Sequence, residues 1–327
     1  MAVTQHEVAA DEGELRLDRW FKRHFPQVTQ IAVQKFCRTG QVRVDGKRVE
    51  ASTRLVPGQI IRVPPVNPAP PPDERPAVSP ADQRDLEDMV IYRDEQILVI
   101  NKPHGLPVQG GPGIYRHLDG MLDALRFDAK DRPRLVHRLD RDTSGVMLLA
   151  RSASVASKLA ALFRTRDVQK TYWAIVVGRP SPMEGLIDLP LKRIGGERGE
   201  RTQAAERDDP DAARALTEYV VREAASRKLS WLELSPRTGR THQLRVHCLA
   251  MGTPILGDGK YGEAASHLDG FSGKLHLHAR ALRLPHPAGG MLEVSAPLPS
   301  HMSETFKRLG FTPDADMPPA RGFKTKL

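Results

Sequence analysis

Cysteine is nearly absent. Cys37 and Cys248 are the only two, far apart and each set among apolar neighbours. Two thiols cannot build a disulfide framework or a zinc cluster, so both read as reduced core residues. No stretch approaches the ~20 consecutive apolar residues needed to cross a bilayer. The opening segment, MAVTQHEVAADEGELRLD, lacks the basic start and apolar stretch of a secretory signal. There is no internal repeat and no loop of Walker or dinucleotide spacing. GGPG at 110–113 is followed by neither Lys-Ser/Thr nor a helix start. Secreted and membrane-spanning classes are thereby disfavoured, and a cytoplasmic protein with no membrane association fits best.

The 327 residues are enough for two domains, and one of them can hold a sizeable core. The formal charge is +9, which suits a polyanionic partner without requiring one. Its distribution says more. Between Glu14 and Val63 there are eleven Lys and Arg against four Asp and Glu. Residues 64–85 follow with eight prolines and little that could enter a core. Such chain is extended at ~3.1 Å per residue and reads as a semi-rigid linker between two modules. The polar, proline-bearing tail, residues 312–327, is expected to be disordered.

In the first module, Leu15, Leu17, Trp20 and Phe21 recur at roughly helical spacing until Pro26. A second helix is expected from Thr29, a fitting N-cap, to about Thr39, with Gly40 at its end. Val42 and Val44, the turn Asp45-Gly46 and a return strand near Val49 give a hairpin signal. QIIRV at 59–63 is another short strand. Two helices and a small sheet, with Lys35, Arg38, Arg43, Lys47 and Arg48 crowded near the second helix and hairpin, resemble the S4 RNA-binding fold over residues 14–63. The resemblance implies that these five cations contact RNA. The alternative is a small domain with a solvated basic face.

The larger module, residues 86–311, alternates apolar strands with few helices. ILVI at 97–100, VMLL at 146–149 and YWAIVV at 172–177 read as buried strands. Further strands are expected at Leu216–Val221, Leu229–Leu234 and within 275–284. Helices are expected after Ser152 or Ser154 and from about Thr241 to Met251, stopping at Gly252. Strands in series with few crossover helices favour an α+β class, a mixed and largely antiparallel sheet with helices packed on it.

The segment LVHRLDRDTSG, residues 135–145, is unusually polar and feeds directly into the VMLLA strand. A loop held against a core strand has well-placed side chains and carries function more often than chance. Turn structure alone is a competing account: Asp140 could accept from loop amides, and Asp142, Thr143 and Ser144 could close an Asx or hydroxyl turn.

HRLDRDTSG resembles the signature of the RluA family of pseudouridine synthases. NKPHGLPVQGG at 101–111 is similar to the family's lysine-proline loop, QKTYWAIVVG at 169–178 to its tyrosine-bearing strand, and RTGRTHQLRVHCLAMGTPILGD at 237–258 to its arginine-bearing helix. KLHLHARALRLPHP at 274–287 resembles the last strand, so five blocks in order span nearly all of 88–300. An S4 module ahead of such a domain is similar to members acting on ribosomal RNA. The resemblance implies that Asp140 is the catalytic carboxylate, that Arg245 partners it, and that Tyr172 faces the base. It further implies Arg138 in base flipping, with His137 and Lys102 on the substrate side. It implies action on large-subunit ribosomal RNA; oligomeric state is open, with a monomer as the default.

These residue types suit the reaction. Uridine becomes pseudouridine when the bond from N1 to ribose C1′ breaks and C5 bonds to that carbon. No redox change occurs and no water is consumed, so neither a cofactor nor a metal is expected. An ionised carboxylate near C1′ can stabilise or attack a cationic sugar, as in glycoside cleavage. A target base must leave its stack, and something must fill the vacated space. Each residue also has an ordinary reading. Tyr172 could be a core tyrosine and Arg245 a surface ion pair. His137, and the set His276, His278 and His286, are read as structural, and His242 and His247 as too ill-placed on a helix to share a metal. Two rival functions remain: a non-catalytic RNA-binding or assembly factor, which would not need Asp140, Tyr172 and Arg245 together, and a nucleoside or glycan hydrolase, which lacks an obvious second carboxylate.

Overall fold

An apolar run buried on both faces needs cover on both sides, and that requirement organises the larger part of the molecule. The computed structural model describes residues 3–66, 78–111, 113–165, 167–195, 201–226 and 228–313. The chain divides into two compact units, Met1–Ala77 and Val78–Leu327.

In the first unit, helices Leu17–His24 and Gln30–Arg38 pack on a four-stranded antiparallel sheet ordered Thr4–Glu7, Ile60–Val63, Arg43–Val44, Lys47–Arg48. Leu17, Trp20 and Phe21 from one helix meet Val33 and Cys37 from the other and Val42, Val44, Ile61 and Val63 from the sheet. Thr29 caps the second helix by accepting from Ala32 N–H. Asp45 and Gly46 both have positive φ, 49° and 77°, which is what a two-residue hairpin turn of this twist demands. The return strand is Lys47–Arg48, slightly earlier than expected. The unit also starts earlier than residue 14. Thr4–Glu7 supplies an edge strand, and the buried Glu12 accepts from Trp20 Nε1 at 3.0 Å and meets His24 Nε2 at 2.5 Å.

The second unit is α+β. Its ten-stranded sheet runs in the order Glu184–Asp188, Leu216–Ala225, Leu229–Pro236, Gln169–Val177, Leu277–Pro285, Ser144–Ala150, Ile97–Lys102, Val90–Arg93, with Met291–Ser295 and Arg134–Leu135 added at the side. Every pairing is antiparallel except the seam between Leu277–Pro285 and Ser144–Ala150. Leu98, Ile100, Met147 and Leu149 enter one apolar cluster and Ile97, Val99, Val146 and Leu148 another. Period-two alternation between two cores explains why these strands read as unbroken apolar runs. Helix Ala153–Leu162 is capped by Ser152, whose hydroxyl accepts from Val155 N–H.

The proline-rich stretch ends sooner than its composition suggests. Ser79 caps a helix, Pro80–Asp88, whose Leu86 is buried in the second unit. The rest of that stretch, 67–77, and the tail from 314 lie outside the described residues. Among the described residues no helix is long and apolar enough to cross a membrane.

The parallel seam generates a test. Gly145 and Gly105 both have positive φ, +112° and +86°. A Cβ on Gly145 would stand 2.2 Å from Ala279 O, whereas one on Gly105 meets nothing within 4 Å. Gly105→Ala is expected to cost about 1–2 kcal/mol through backbone strain. Gly145→Ala, which must also push neighbouring strands away from each other, is expected to cost more than ~4 kcal/mol. Urea unfolding of both variants measures the difference, and equal costs would show that the seam yields easily.

Candidate active site

The strand Ser144–Ala150 is buried along its whole length, and the loop before it is anchored at its start, middle and end. At the start, His137 Nε2 accepts from Leu148 N–H at 2.8 Å, and its ring stacks on Phe163 with centroids 4.5 Å apart. Burial, with nearby Lys170, pushes its pKa down to about 3. The imidazole is therefore neutral, with its proton on Nδ1. In the middle, Leu139 enters the apolar cluster while Thr143 N–H donates to Asp140 O at 3.2 Å.

At the end, the fully buried Lys102 donates from Nζ to the carbonyls of Pro103, Leu106 and Arg141, each at 2.9 Å. Gly105 N–H donates to the same Arg141 carbonyl. Lys102, expected on the substrate side, is instead buried beneath the loop, while His137, expected there too, lines the cleft. Lys102 Nζ is spent on backbone carbonyls, and His137 Nε2 accepts from a backbone amide while its ring still lines the cleft; both hold the lysine-proline loop and the 137–143 loop in place.

What this scaffold presents is Asp140. Its side chain is 22% exposed and lines a cleft of about 380 Å³ with Arg138, Tyr172, His242 and Arg245. Among the described residues no group hydrogen-bonds its carboxylate; His242 Nε2 stands 3.9 Å from Oδ2.

The expected Asp140–Arg245 pairing is not what the structure holds. Arg245 is buried on helix Gln243–Ala250 and gives its fork to Asp258, Nε to Oδ2 at 2.9 Å and a terminal nitrogen to Oδ1 at 2.6 Å. Asp258 is 1% exposed and also accepts from the Lys260 and Tyr261 amides. Two planar groups matched in this way leave no fork for a second carboxylate. Burial opposes the charge of Arg245, yet the bonds and charge of Asp258, and then the charge of Asp140, lift its pKa above the usual range. Arg245 thus acts on Asp140 through space rather than by direct bonding.

Tyr172 lies on the strand Gln169–Val177 and packs against the clusters on both sides of the cleft. Burial and then the charge of Asp140 raise its pKa, so the phenol is neutral. No described residue hydrogen-bonds its hydroxyl. Arg138 is exposed at the cleft.

Three residues escaped the reading of the sequence: Asp258, His242 and Tyr261. Asp258 closes the quoted block and gave no local sign of being the partner of Arg245. His242, weighed only as a metal ligand, is the N-cap of its helix at φ 53°. Its Nδ1 meets Tyr261 Oη at 2.7 Å, and Tyr261 Oη accepts from Thr202 N–H. Histidine tolerates this left-handed conformation better than most residues, but no spacing rule announces it. His247 turns elsewhere, to Thr217 and the Leu189 carbonyl. His276 and His278 are buried and bonded to Thr305 and Ser144, and His286 meets Asp94 at 2.9 Å.

In the first unit, Lys35, Arg38, Lys47 and Arg48 are all at least partly exposed. Arg43 is partly buried and folds over its own hairpin, donating to the Gly40 and Gly46 carbonyls. Arg38 and Arg48 line an open cleft with Arg16, Asp18 and Glu50.

Residues 96–250 match the family model for RNA pseudouridylate synthase, and residues 15–61 match the S4 domain. The chain is 33% identical over 316 residues to ribosomal large subunit pseudouridine synthase C of Vibrio cholerae, covering 93% of this chain and 96% of that protein. It is 34% identical to the mitochondrial RNA pseudouridine synthase 4 of Arabidopsis thaliana, covering 92% and 80%. The solved structure of human RNA pseudouridylate synthase domain containing 4 superposes with a TM-score of 0.59 at 32% identity, covering 70% of this chain and 95% of that one. With that likeness over most of its length, the chain belongs to the RNA pseudouridine synthase family, with an S4 domain ahead of the synthase domain.

Proposed function

We propose that this isomerase converts uridine to pseudouridine in large-subunit ribosomal RNA, with Asp140 as the catalytic carboxylate. The observation that carries the reading is a carboxylate fixed by its backbone, free of hydrogen bonds from the described residues, in a cleft beside a neutral phenol and a buried guanidinium. Such a carboxylate keeps its lone pairs for the substrate. Beside ribose C1′ it stabilises or captures the sugar cation as the bond to N1 breaks. The base then turns so that C5 bonds to C1′, C5 gives up its proton, and N1 gains one. The guanidinium of Arg245 puts a positive charge near Asp140 without bonding to it. Tyr172 offers a ring against the base and a hydroxyl near it. Arg138, exposed at the cleft, would occupy the gap left by the flipped base. The large-subunit substrate is supported by the names of the bacterial relatives and by the S4 domain. The reading places the protein in the cytoplasm as a monomer that needs no cofactor.

The charge of Asp140 is tested most directly. Asp140→Asn keeps the side chain's shape and loses its charge. It is expected to abolish pseudouridine formation while RNA affinity changes by less than roughly tenfold, about 1.4 kcal/mol. Turnover by a preparation free of wild-type enzyme would remove Asp140 from the mechanism.

Arg245→Lys keeps the charge and loses the fork. Because the fork lies on Asp258, stability is expected to fall by ~2–3 kcal/mol along with turnover. Asp258→Asn is expected to do the same. Thermal melts and single-turnover rates of both variants check this. Unchanged stability with lost turnover would point instead to a direct bond from Arg245 to Asp140 or the substrate.

The S4 domain generates a third expectation. Removing residues 1–66 should leave a folded second unit that binds ribosomal RNA more weakly. Its plot of log affinity against log salt should be shallower, since each phosphate contact contributes nearly one counterion. Activity on a short hairpin carrying the target uridine should suffer less than on whole ribosomal RNA. Equal salt slopes for full-length and truncated protein would show that Lys35, Arg38, Arg43, Lys47 and Arg48 form a merely solvated face.

A further inference from the structure

The Asp140 cleft adjoins a second groove, of about 670 Å³, and the two share Phe163, Lys170, Pro236 and Arg240 among their walls. The cations of this groove fall into two kinds. Arg237 is held by Glu218 at 2.7 Å, and Arg240 gives Nε to the Arg214 carbonyl at 3.1 Å. Lys170 and the side chain of Arg164 have no hydrogen-bonding or ion-pair partner among the described residues. Arg164 is exposed, where an unpaired arginine costs nothing. Lys170 is different. It rises from the strand Gln169–Val177 where the two grooves meet, partly buried and close to His137.

The neighbours cannot compensate it. His137 has committed Nε2 to the Leu148 amide and is neutral. Asp167 is exposed and engaged by Thr165. Burial lowers the pKa of Lys170, with no carboxylate acting in the other direction. A cation removed from water without a partner destabilises the chain that carries it. Its presence at the junction of two grooves is explained if an anion joins it during function.

We propose that Lys170, with Arg164 at the outer edge of the groove, binds a phosphodiester of the RNA strand adjoining the nucleotide held at Asp140. The proposal rests on the reading that RNA occupies the Asp140 cleft, and it adds where the neighbouring nucleotides leave. A polymer with one residue at Asp140 must lead its flanking backbone out of the cleft, and this groove lies next to it across shared walls. A lysine ammonium is a point charge that accepts phosphate from many directions, which suits a backbone contact blind to sequence.

The test uses the full-length protein as wild type, Lys170→Met and Lys170→Arg, with large-subunit ribosomal RNA transcribed in vitro as the probe. Lys170→Met is expected to weaken binding about five- to tenfold at low salt, and to reduce the slope of log affinity against log salt by ~0.7. It should leave the melting temperature of the free protein unchanged or higher, because an uncompensated charge has gone. At saturating RNA its single-turnover rate should stay within about threefold of wild type, with half-saturation shifted to higher RNA. Lys170→Arg should retain affinity within about threefold.

Unchanged affinity and slope in Lys170→Met would overturn the proposal. So would a melting temperature lowered by several degrees, which would make Lys170 a structural cation, or loss of turnover at saturating RNA, which would place it in the chemistry. A wild-type protein that forms no pseudouridine on this RNA, yet whose slope still falls in Lys170→Met, would refute the assigned reaction and leave the phosphate site standing.

Discussion

The ammonium of Lys102 is the tie on which the active-site loop depends. It is fully buried, and its three protons go to three carbonyls, two in its own loop and one, Arg141, in the loop that carries Asp140. Burial pushes its pKa down to about 7, while the charges of Asp142 and Asp140 and the three carbonyl acceptors favour the protonated form that makes all three bonds. Hydrogen bonds from a charged donor contribute about 1.5–3 kcal/mol each, so this tie sets where the loop stands. It works because the strands beneath are fixed: Lys102 pairs with Gly145, whose missing Cβ lets Ala279 close in from the other side. A polar cluster thus sits on a seam that tolerates no side chain, and Asp140 inherits its position from both.

Holding a carboxylate through its backbone has a chemical consequence. A side chain clamped by an arginine fork has its lone pairs occupied, and the role at C1′ proposed for Asp140 would need them free. Here the fork of Arg245 is matched to Asp258, which in turn accepts amides of the following turn. The guanidinium keeps its charge near Asp140 without bonding to it. His242, locked against Tyr261 in a left-handed conformation, closes the cleft from the same helix end. Geometry and electrostatics are therefore supplied by separate groups, and neither competes with a substrate for Asp140.

The sequence revealed what depends on local pattern and hid what depends on distant partners. The central strands could be read because both faces are buried, and the turn Asp45-Gly46 because positive φ at two successive residues selects those types. The strand Thr4–Glu7 could not: TQHE has no apolar alternation, and it is held by backbone pairing to Ile60–Val63. The helix Pro80–Asp88 was masked by surrounding prolines, although Ser79 followed by Pro80 and Asp82 is a readable helix start. At the site, the motif pointed to Asp140, Tyr172 and Arg245, and the cleft gathers all three. Partners were another matter. Asp258 lies thirteen residues beyond Arg245 across a chain reversal, and nothing in their spacing links them. Lys102 and His137 resemble substrate groups when only the motif is read. The burial of Lys102 and its three carbonyl partners reveal it as a strut, and the amide partner of His137 gives that ring a bracing role at the cleft wall.

Partnership, rather than residue type, separates the cations of this protein by role. Lys102, Arg245 and Arg151 are buried and paired or carbonyl-bonded, and removing any of them would strand an acceptor or acid that now has a partner. Arg138 and Lys170 line the cleft with no partner among the described residues, which is what a surface awaiting an anionic polymer requires. A charge that already has a partner must break that bond to receive a phosphate, and the exchange returns little free energy. An unpaired one gives its full interaction to the ligand, at the expense of stability in the free protein. Motif matching cannot separate the two kinds, since both occur within the same blocks of sequence, Lys102 beside Pro103 and Lys170 two residues before Tyr172. The distinction emerges only when each donor is followed to its acceptor.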